Sequence, residues 1–237
     1  MRVLCVIAAT TCLCLSASAQ TDTLADSISA ALDLAPSTGV TGCLSRDLDG
    51  DGTLEILAIT SEGSVAGHPI GGEVVLLKET DGQLLPVWRR AGLNPWKLET
   101  GDVDGDGPME IAVGVWKTSP FDPVTAKRVF VYSWDGETVH PKWLGSRLAR
   151  RFDDFILCDI DSDGWDELIA LEIAESENHR VAAYRWHTFG FEWLGCSDEM
   201  PVICGLCVED SIPFADAESE RFALRLVSDH VELEPVE

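Results

Sequence analysis

The sequence predicts an all-β, β-propeller-like chain with three clear blades and a degenerate fourth. Two observations carry that expectation. A nine-residue acidic loop occurs three times, as Asp47-Leu-Asp-Gly-Asp-Gly-Thr-Leu-Glu55, Asp102-Val-Asp-Gly-Asp-Gly-Pro-Met-Glu110 and Asp159-Ile-Asp-Ser-Asp-Gly-Trp-Asp-Glu167. Its first acids lie 55 and then 57 positions apart, the mark of a structural repeat. Around each loop, short apolar runs and turn residues recur in one order, and four strands per repeat is the make-up of a propeller blade.

The chain opens on a segment that reads as a secretory signal. Arg2 is the charged start, Val3 to Leu15 is an apolar run, and Ala17-Ser-Ala19 is a small-residue cleavage site. The run is shorter than the roughly 20 residues that span a bilayer, and the alternative is a short uncleaved anchor. No second long apolar run and no C-terminal anchoring motif follows. The expectation is a mature chain without a membrane span, secreted, periplasmic or on the cell surface after cleavage near Ala19. Residues 20–36 form a leader with spaced apolar positions (Leu24, Ile28, Leu32, Leu34), either a short helix or a lead-in to the first blade, ended by Pro36-Ser-Thr-Gly39.

Repeats are expected over about 37–90, 91–148 and 149–205. In each, a short strand enters the loop and an apolar strand leaves it: Ile56-Leu-Ala-Ile-Thr60, Ile111-Ala-Val-Gly-Val115 and Leu168-Ile-Ala-Leu171. Third strands follow at Glu73–Leu77, Arg128–Tyr132 and Arg180–Tyr184. Hairpin turns then come at Thr80-Asp-Gly82, Asp135-Gly136 and Thr188-Phe-Gly190. The last strands carry Trp88, Trp143 and Trp193. The span from Lys117 to Lys127 reads as the longest irregular connection. A degenerate fourth repeat is expected over 206–237, with Asp216-Ala-Glu218-Ser-Glu220 in the place of the loop. Arg221 stands there for the glycine and Leu224 for the last acid, so no ion is expected. Closure could use a strand around residues 37–46, and an open ring could pair with a second copy.

Each loop has carboxylates at positions 1, 3, 5 and 9 and a glycine at position 6. Alternating acids send every second side chain into one cavity, and the glycine permits the turn that closes it. Calcium takes about six to eight oxygen ligands at roughly 2.3–2.6 Å, so this pattern suits it. An EF-hand is the competing reading, but its loop has a bidentate Glu at position 12 and flanking helices. Here position 12 is Ala58, Val113 and Ala170, and β-patterned runs follow.

The loop feeding a short apolar strand resembles the FG-GAP/VCBS repeat of integrin α-type propellers and many secreted bacterial proteins, over roughly residues 37–205. The resemblance implies that the loop joins the first two strands of a blade. It also implies about three structural Ca²⁺ ions, held by Asp47, Asp49, Asp51, Thr53 and Glu55, by Asp102, Asp104, Asp106, Pro108 and Glu110, and by Asp159, Asp161, Asp163, Trp165 and Glu167. Thr53, Pro108 and Trp165 would contribute their backbone carbonyls. Ser162 departs from the pattern, where the other loops have glycine.

Composition narrows the function. The formal charge is −24, and twelve of the 41 acids stand at loop positions 1, 3, 5 and 9. Nucleic-acid binding needs basic patches, and no basic run exists. His68, His140, His179, His187 and His230 show no metal spacing and read as loop or surface residues. No catalytic residue stands out, because the clustered acids are better explained as metal ligands. Export makes disulfides plausible among Cys43, Cys158, Cys196, Cys204 and Cys207, with Cys196, Cys204 and Cys207 the place for a pair. Cys204-Gly-Leu-Cys207 lacks the context of a redox or zinc motif, and Cys158 reads as a buried thiol. Trp88, Trp143 and Trp193 read as packing between blades, or as sugar-stacking platforms. Trp96, Trp116 and Trp165 are placed near the calcium loops, on a ligand-facing rim. The expected role is binding or assembly with an unidentified protein or glycan ligand. The alternatives are a calcium-dependent lectin and an accessory part of a polysaccharide-acting enzyme.

Overall fold

The computed structural model describes residues 15–119, 122–145 and 148–236, so residues 1–14 of the expected signal segment lie outside it. It holds one helix, α1 (Leu15–Leu32), followed by strands throughout. The first blade comprises β1 (Gly39–Arg46), β2 (Glu55–Ser61), β5 (Glu73–Thr80) and β6 (Gln83–Ala91), paired in that order. A small hairpin, β3 (Gly63–Val65) with β4 (His68–Ile70), is inserted after its second strand. The second blade comprises β7 (Pro95–Gly101), β8 (Glu110–Ser119), β9 (Asp122–Trp134) and β10 (Val139–Trp143). The third comprises β11 (Phe152–Cys158), β12 (Glu167–Ile173), β13 (His179–His187) and β14 (Gly190–Cys196). The fourth comprises β15 (Gly205–Glu209), β16 (Ile212–Asp216), β17 (Arg221–Val227) and β18 (His230–Pro235), and one parallel pair, Cys196 with His230, links it to the third.

Every blade is an antiparallel meander whose successive side chains point to opposite sides; the middle strands of the first three blades are largely buried on both faces, whereas those of the fourth are buried on one. In the second blade Ile111, Val113, Val115, Phe130, Tyr132 and Trp134 join Leu57, Ile59, Val74 and Leu76 of the first. The alternate residues Ala112, Val129 and Val131 join Phe155, Leu168, Ala170 and Tyr184 of the third. The other face of the third blade (Ile169, Leu171, Val181, Ala183) packs on Leu206, Ala215, Leu224 and Val231 of the fourth. The outer face of the first blade (Ala58, Val75, Leu77) is covered by Ile28 and Leu32 of α1. The leader is therefore a helix whose apolar positions at i, i+4 and i+8 form one stripe. None of the four apolar clusters of the described residues joins the fourth blade to the first. The strand around residues 37–46 is β1, the opening strand of the first blade, and does not close the ring.

The same irregularities recur from blade to blade. The first strands slip register at Thr41, Trp96 and Asp153. The last strands slip at Val87, Lys142 and Leu194. Counted from these bulges, Trp88 and Trp143 are equivalent, and the third blade has Gly195 in their place. Trp193 instead matches Pro86 and Pro141. It is 47% exposed, so the expected packing role falls to Phe191, which meets Trp143 edge-on.

Three further expectations are corrected. The span 117–127 is mostly strand: β8 and β9 continue as a long hairpin pairing Trp116 with Lys127 and Lys117 with Ala126, with a register shift between Lys117 and Ser119, and within the span Pro120 and Phe121 lie outside the described residues. Within it Arg128 and Asp122 of β9 form a buried ion pair at 2.8 Å. The fourth blade has all four strands. Asp216 to Glu220 lies between its second and third strands, and its first two are joined by Asp210-Ser211, both at positive φ (50° and 63°), as a tight hairpin turn requires. Degeneracy is thus confined to the loop. Finally, Cys196 and Cys207 are free thiols, so they form no disulfide within their cluster. Cys158 is buried as expected, and desolvation pushes its thiol up to about 12.

Candidate metal centres

Each acidic loop joins the first two strands of its blade: β1 to β2, β7 to β8, and β11 to β12. The acid at position 1 organises the turn. Its Oδ2 accepts the N–H of the position 6 glycine, at 3.0 Å for Asp47, 2.9 Å for Asp102 and 2.9 Å for Asp159. Those glycines, Gly52, Gly107 and Gly164, have φ of 86°, 100° and 93°, where a side chain would be strained. Position 4 is also left-handed. Ser162 adopts φ 65° there, so this departure carries a backbone cost of order 1 kcal/mol that glycine avoids.

The acid at position 9 is the deep element. Glu55, Glu110 and Glu167 are buried at the first residue of the second strand. Each Oε2 accepts the backbone N–H of position 2, at 3.0, 3.1 and 3.3 Å (Leu48, Val103, Ile160). Each Oε1 remains on the loop side. Three groups of carboxylate oxygens result: Asp47, Asp49 and Glu55; Asp102, Asp104 and Glu110; Asp159, Asp161 and Glu167. Within each group the oxygens lie within 4.8 Å of one another. Oxygens bound to a single calcium at about 2.4 Å can be no further apart than twice that distance, so each group fits one ion. The donors are hard oxygens with no thiolate or imidazole, which suits calcium or magnesium and not zinc or copper. Asp47 Oδ1 and Asp104 Oδ1 are buried without a hydrogen-bond partner, which leaves each a free acceptor for a cation.

The position 5 acids lie outside these groups. Asp51 Oδ1 accepts the Thr53 N–H at 2.6 Å and Asp163 Oδ1 accepts the Trp165 N–H at 3.0 Å, so both brace the turn. Burial raises the Asp106 carboxyl, with Asp104 and Asp102 adding repulsion. Burial likewise raises Glu110, and it carries Glu167 up to about 7 despite the opposing pull of Arg185.

Neighbouring loops are bonded to one another. Met109 N–H donates to Leu48 O at 2.7 Å, and Asp166 N–H donates to Asp102 O at 2.8 Å while Asp166 Oδ2 accepts the Asp102 N–H at 2.9 Å. The Trp134 indole of the second blade donates to Asp49 Oδ2 at 3.1 Å. Trp165 lies so close over Gly105 that a Cβ there would meet its Nε1 at 2.0 Å. Of the three tryptophans expected near the loops, only Trp165 is there. Trp96 is the second residue of β7, at the end away from the loop, and Trp116 lies six residues along β8 from Glu110, about 20 Å away at the rise of a strand.

Sequence reasoning missed the cations that face these acids. Lys78 Nζ lies 2.8 Å from Glu55 Oε1, and Lys142 Nζ lies 2.8 Å from Glu110 Oε1 and also contacts Asp104. Arg185 reaches Glu167 Oε1 at 2.8 Å, Asp161 at 2.7 Å and Asp163 at 2.9 Å. A signal exists. The residue directly after each third-strand apolar run is Lys78, Ser133 or Arg185, and the first and last of these face a position 9 Glu.

Among known families, residues 47–113 match the FG-GAP-like repeat. The match begins at the first acid of the first loop, takes in the whole second loop and ends in β8. No curated protein matches the chain.

Proposed function

We propose that this chain, which carries an FG-GAP-like repeat, is an exported calcium-binding module that works by binding or assembly and not by catalysis. The observation that carries the reading is the threefold recurrence of one cluster geometry, with three carboxylates whose oxygens lie within 4.8 Å of one another at the same place in three successive blades. Asp47, Asp49 and Glu55 hold the first ion, Asp102, Asp104 and Glu110 the second, and Asp159, Asp161 and Glu167 the third. Asp51, Asp106 and Asp163 and the carbonyls of Thr53, Pro108 and Trp165 complete the oxygen sets. The ions are structural, because each lies between strands and neutralises acids that otherwise repel one another.

Export is supported by the segment Met1 to Ala19, and no helix among the described residues is long and apolar enough to cross a membrane. The occupant of the binding surface is a protein or glycan, and a second copy of the chain is one such protein. Isothermal titration with calcium chloride, with magnesium chloride as the control, tests the reading. It predicts close to three calcium ions per chain, and no uptake at millimolar calcium would contradict it.

A further inference from the structure

Each position 9 glutamate is buried, with one oxygen on a backbone N–H and the other on a cation of its own blade. The three cations do not share one position in the repeat. Lys78 is the cross-strand partner of Glu55 on β5. Arg185 is one step beyond the Leu168–Tyr184 pair, and so opposite Glu167 on β13. In the second blade the same step beyond Ile111–Tyr132 brings Ser133 opposite Glu110, which carries no charge. There the charge comes from β10, where Lys142 is the unpaired residue at the bulge between Pro141 and Trp143. A bulge re-aims a side chain, and the last strands of the first and third blades have apolar residues at that bulge, Val87 and Leu194. The fold thus supplies one cation per loop by two routes.

We propose that Lys78, Lys142 and Arg185 are tethered counter-cations that hold the acidic loops together in the ion-free protein, are displaced as calcium enters, and set the order in which the loops fill. A buried carboxylate left without a partner is strongly destabilising, so these residues keep the loops folded between ions. They also occupy oxygens that calcium requires. Lys78 contacts one carboxylate, Lys142 two and Arg185 three. Two Arg185 nitrogens, Nε and Nη2, share Glu167 Oε1, and a guanidinium stays charged at any working pH. The lysines have a second resting place: Lys78 lies 5.5 Å from the Trp134 ring and Lys142 lies 5.6 Å from the Trp186 ring, within cation–π range. The first loop therefore fills first and the third last.

The inference rests on the calcium reading, and the test separates the two. Calcium chloride is titrated into the purified full chain and into its K78M, K142M and R185M variants, and each is also melted in chelator. R185M is expected to tighten the weakest of three sites by about tenfold or more, with K142M and then K78M having smaller effects on the stronger sites. Each variant melts lower than the wild type in chelator and close to it in calcium. R185K, which keeps the charge without the fork, falls between. If R185M does not fold even with calcium, K142M carries the same test on the second loop. Wild-type uptake of three ions with affinities unchanged in the variants overturns the counter-cation role and leaves the calcium reading standing. No wild-type uptake at all overturns both.

Discussion

Asp102→Ala removes more from this protein than one ligand. The Asp102 carboxylate accepts three backbone N–H groups of its own loop, from Gly105 at 2.7 Å, Asp106 at 3.2 Å and Gly107 at 2.9 Å. It also belongs to the oxygen group with Asp104 and Glu110. Hydrogen bonds of this kind contribute about 0.5–1.5 kcal/mol each net, so losing three on a solvated loop is expected to cost about 2–3 kcal/mol without calcium. With free calcium at about ten times the dissociation constant, loss of one site removes a further 1.4 kcal/mol or so. In a chain of this size about 1 kcal/mol moves the melting temperature by roughly 2–4 °C, so the variant should melt about 5–10 °C lower in chelator and a few degrees lower again in calcium. Asp102→Asn keeps one acceptor oxygen and should show a smaller loss in chelator with the same loss of calcium response at that blade. The assay is a pair of melts for each variant together with a calcium titration. If Asp102→Ala still takes up as many ions as the wild type and shows the same calcium-induced rise, the assignment of this loop is wrong.

Three other perturbations follow from the same geometry. Gly105→Ala forces a Cβ into the Trp165 indole at 2.0 Å and a side chain into φ 70°, so a loss of about 2–4 kcal/mol in a denaturant titration is expected, and wild-type stability would count against the contact between the second and third loops. Ile28→Ala empties a fully buried position between α1 and the first blade and should cost about 2–4 kcal/mol, whereas a loss below 0.5 kcal/mol or so would show that the helix does not cover that face. The third concerns pH. Burial raises Glu167 from its ordinary 4.5 to about 7, so the folded ion-free protein holds a proton there that the unfolded chain releases. That contribution to stability is present at acid pH and fades as pH rises from about 4.5 to about 7. Calcium needs the carboxylate, so its affinity at the third loop should weaken as pH falls from 8 to 6, with proton release at pH 6 in calorimetry run in two buffers of different ionisation enthalpy; equal observed heats in the two buffers would refute it.

The three carboxylate groups were legible in the sequence because acids at positions 1, 3 and 9 recur with one spacing in every loop, and the structure brings them within 4.8 Å of one another. The position 6 glycines stand at positive φ, and the strands beside the loops are marked by runs such as Ile56 to Thr60. Legibility ended where geometry depends on pairing between strands. A one-residue bulge decides whether Trp193 is equivalent to Trp88, and the sequence does not display bulges. The fourth repeat lies where expected, but its first connection was misplaced, because Asp216 to Glu220 imitates the acidic spacing while the true first connection, Asp210-Ser211, contains no loop to recognise. Position 5 is the same residue type as positions 1 and 3, yet it lies outside the three-acid groups: Asp51 and Asp163 each turn one oxygen to a backbone N–H two residues on, a local competition that spacing does not reveal. The counter-cations escaped notice because a strand's partner is chosen in three dimensions: Lys142 reaches Glu110 from 32 residues away.

The most direct test of the account is a thermal melt of the full chain in millimolar calcium and again in chelator. Three sites at about ten times their dissociation constants contribute about 4 kcal/mol together, so the melting temperature should rise by roughly 8–16 °C with calcium. Magnesium at the same concentration should give a smaller rise, since it dehydrates reluctantly and demands a tighter geometry. Superimposable melts with calcium and with chelator would contradict the account, and the three acidic clusters would then be held by Lys78, Lys142 and Arg185 alone.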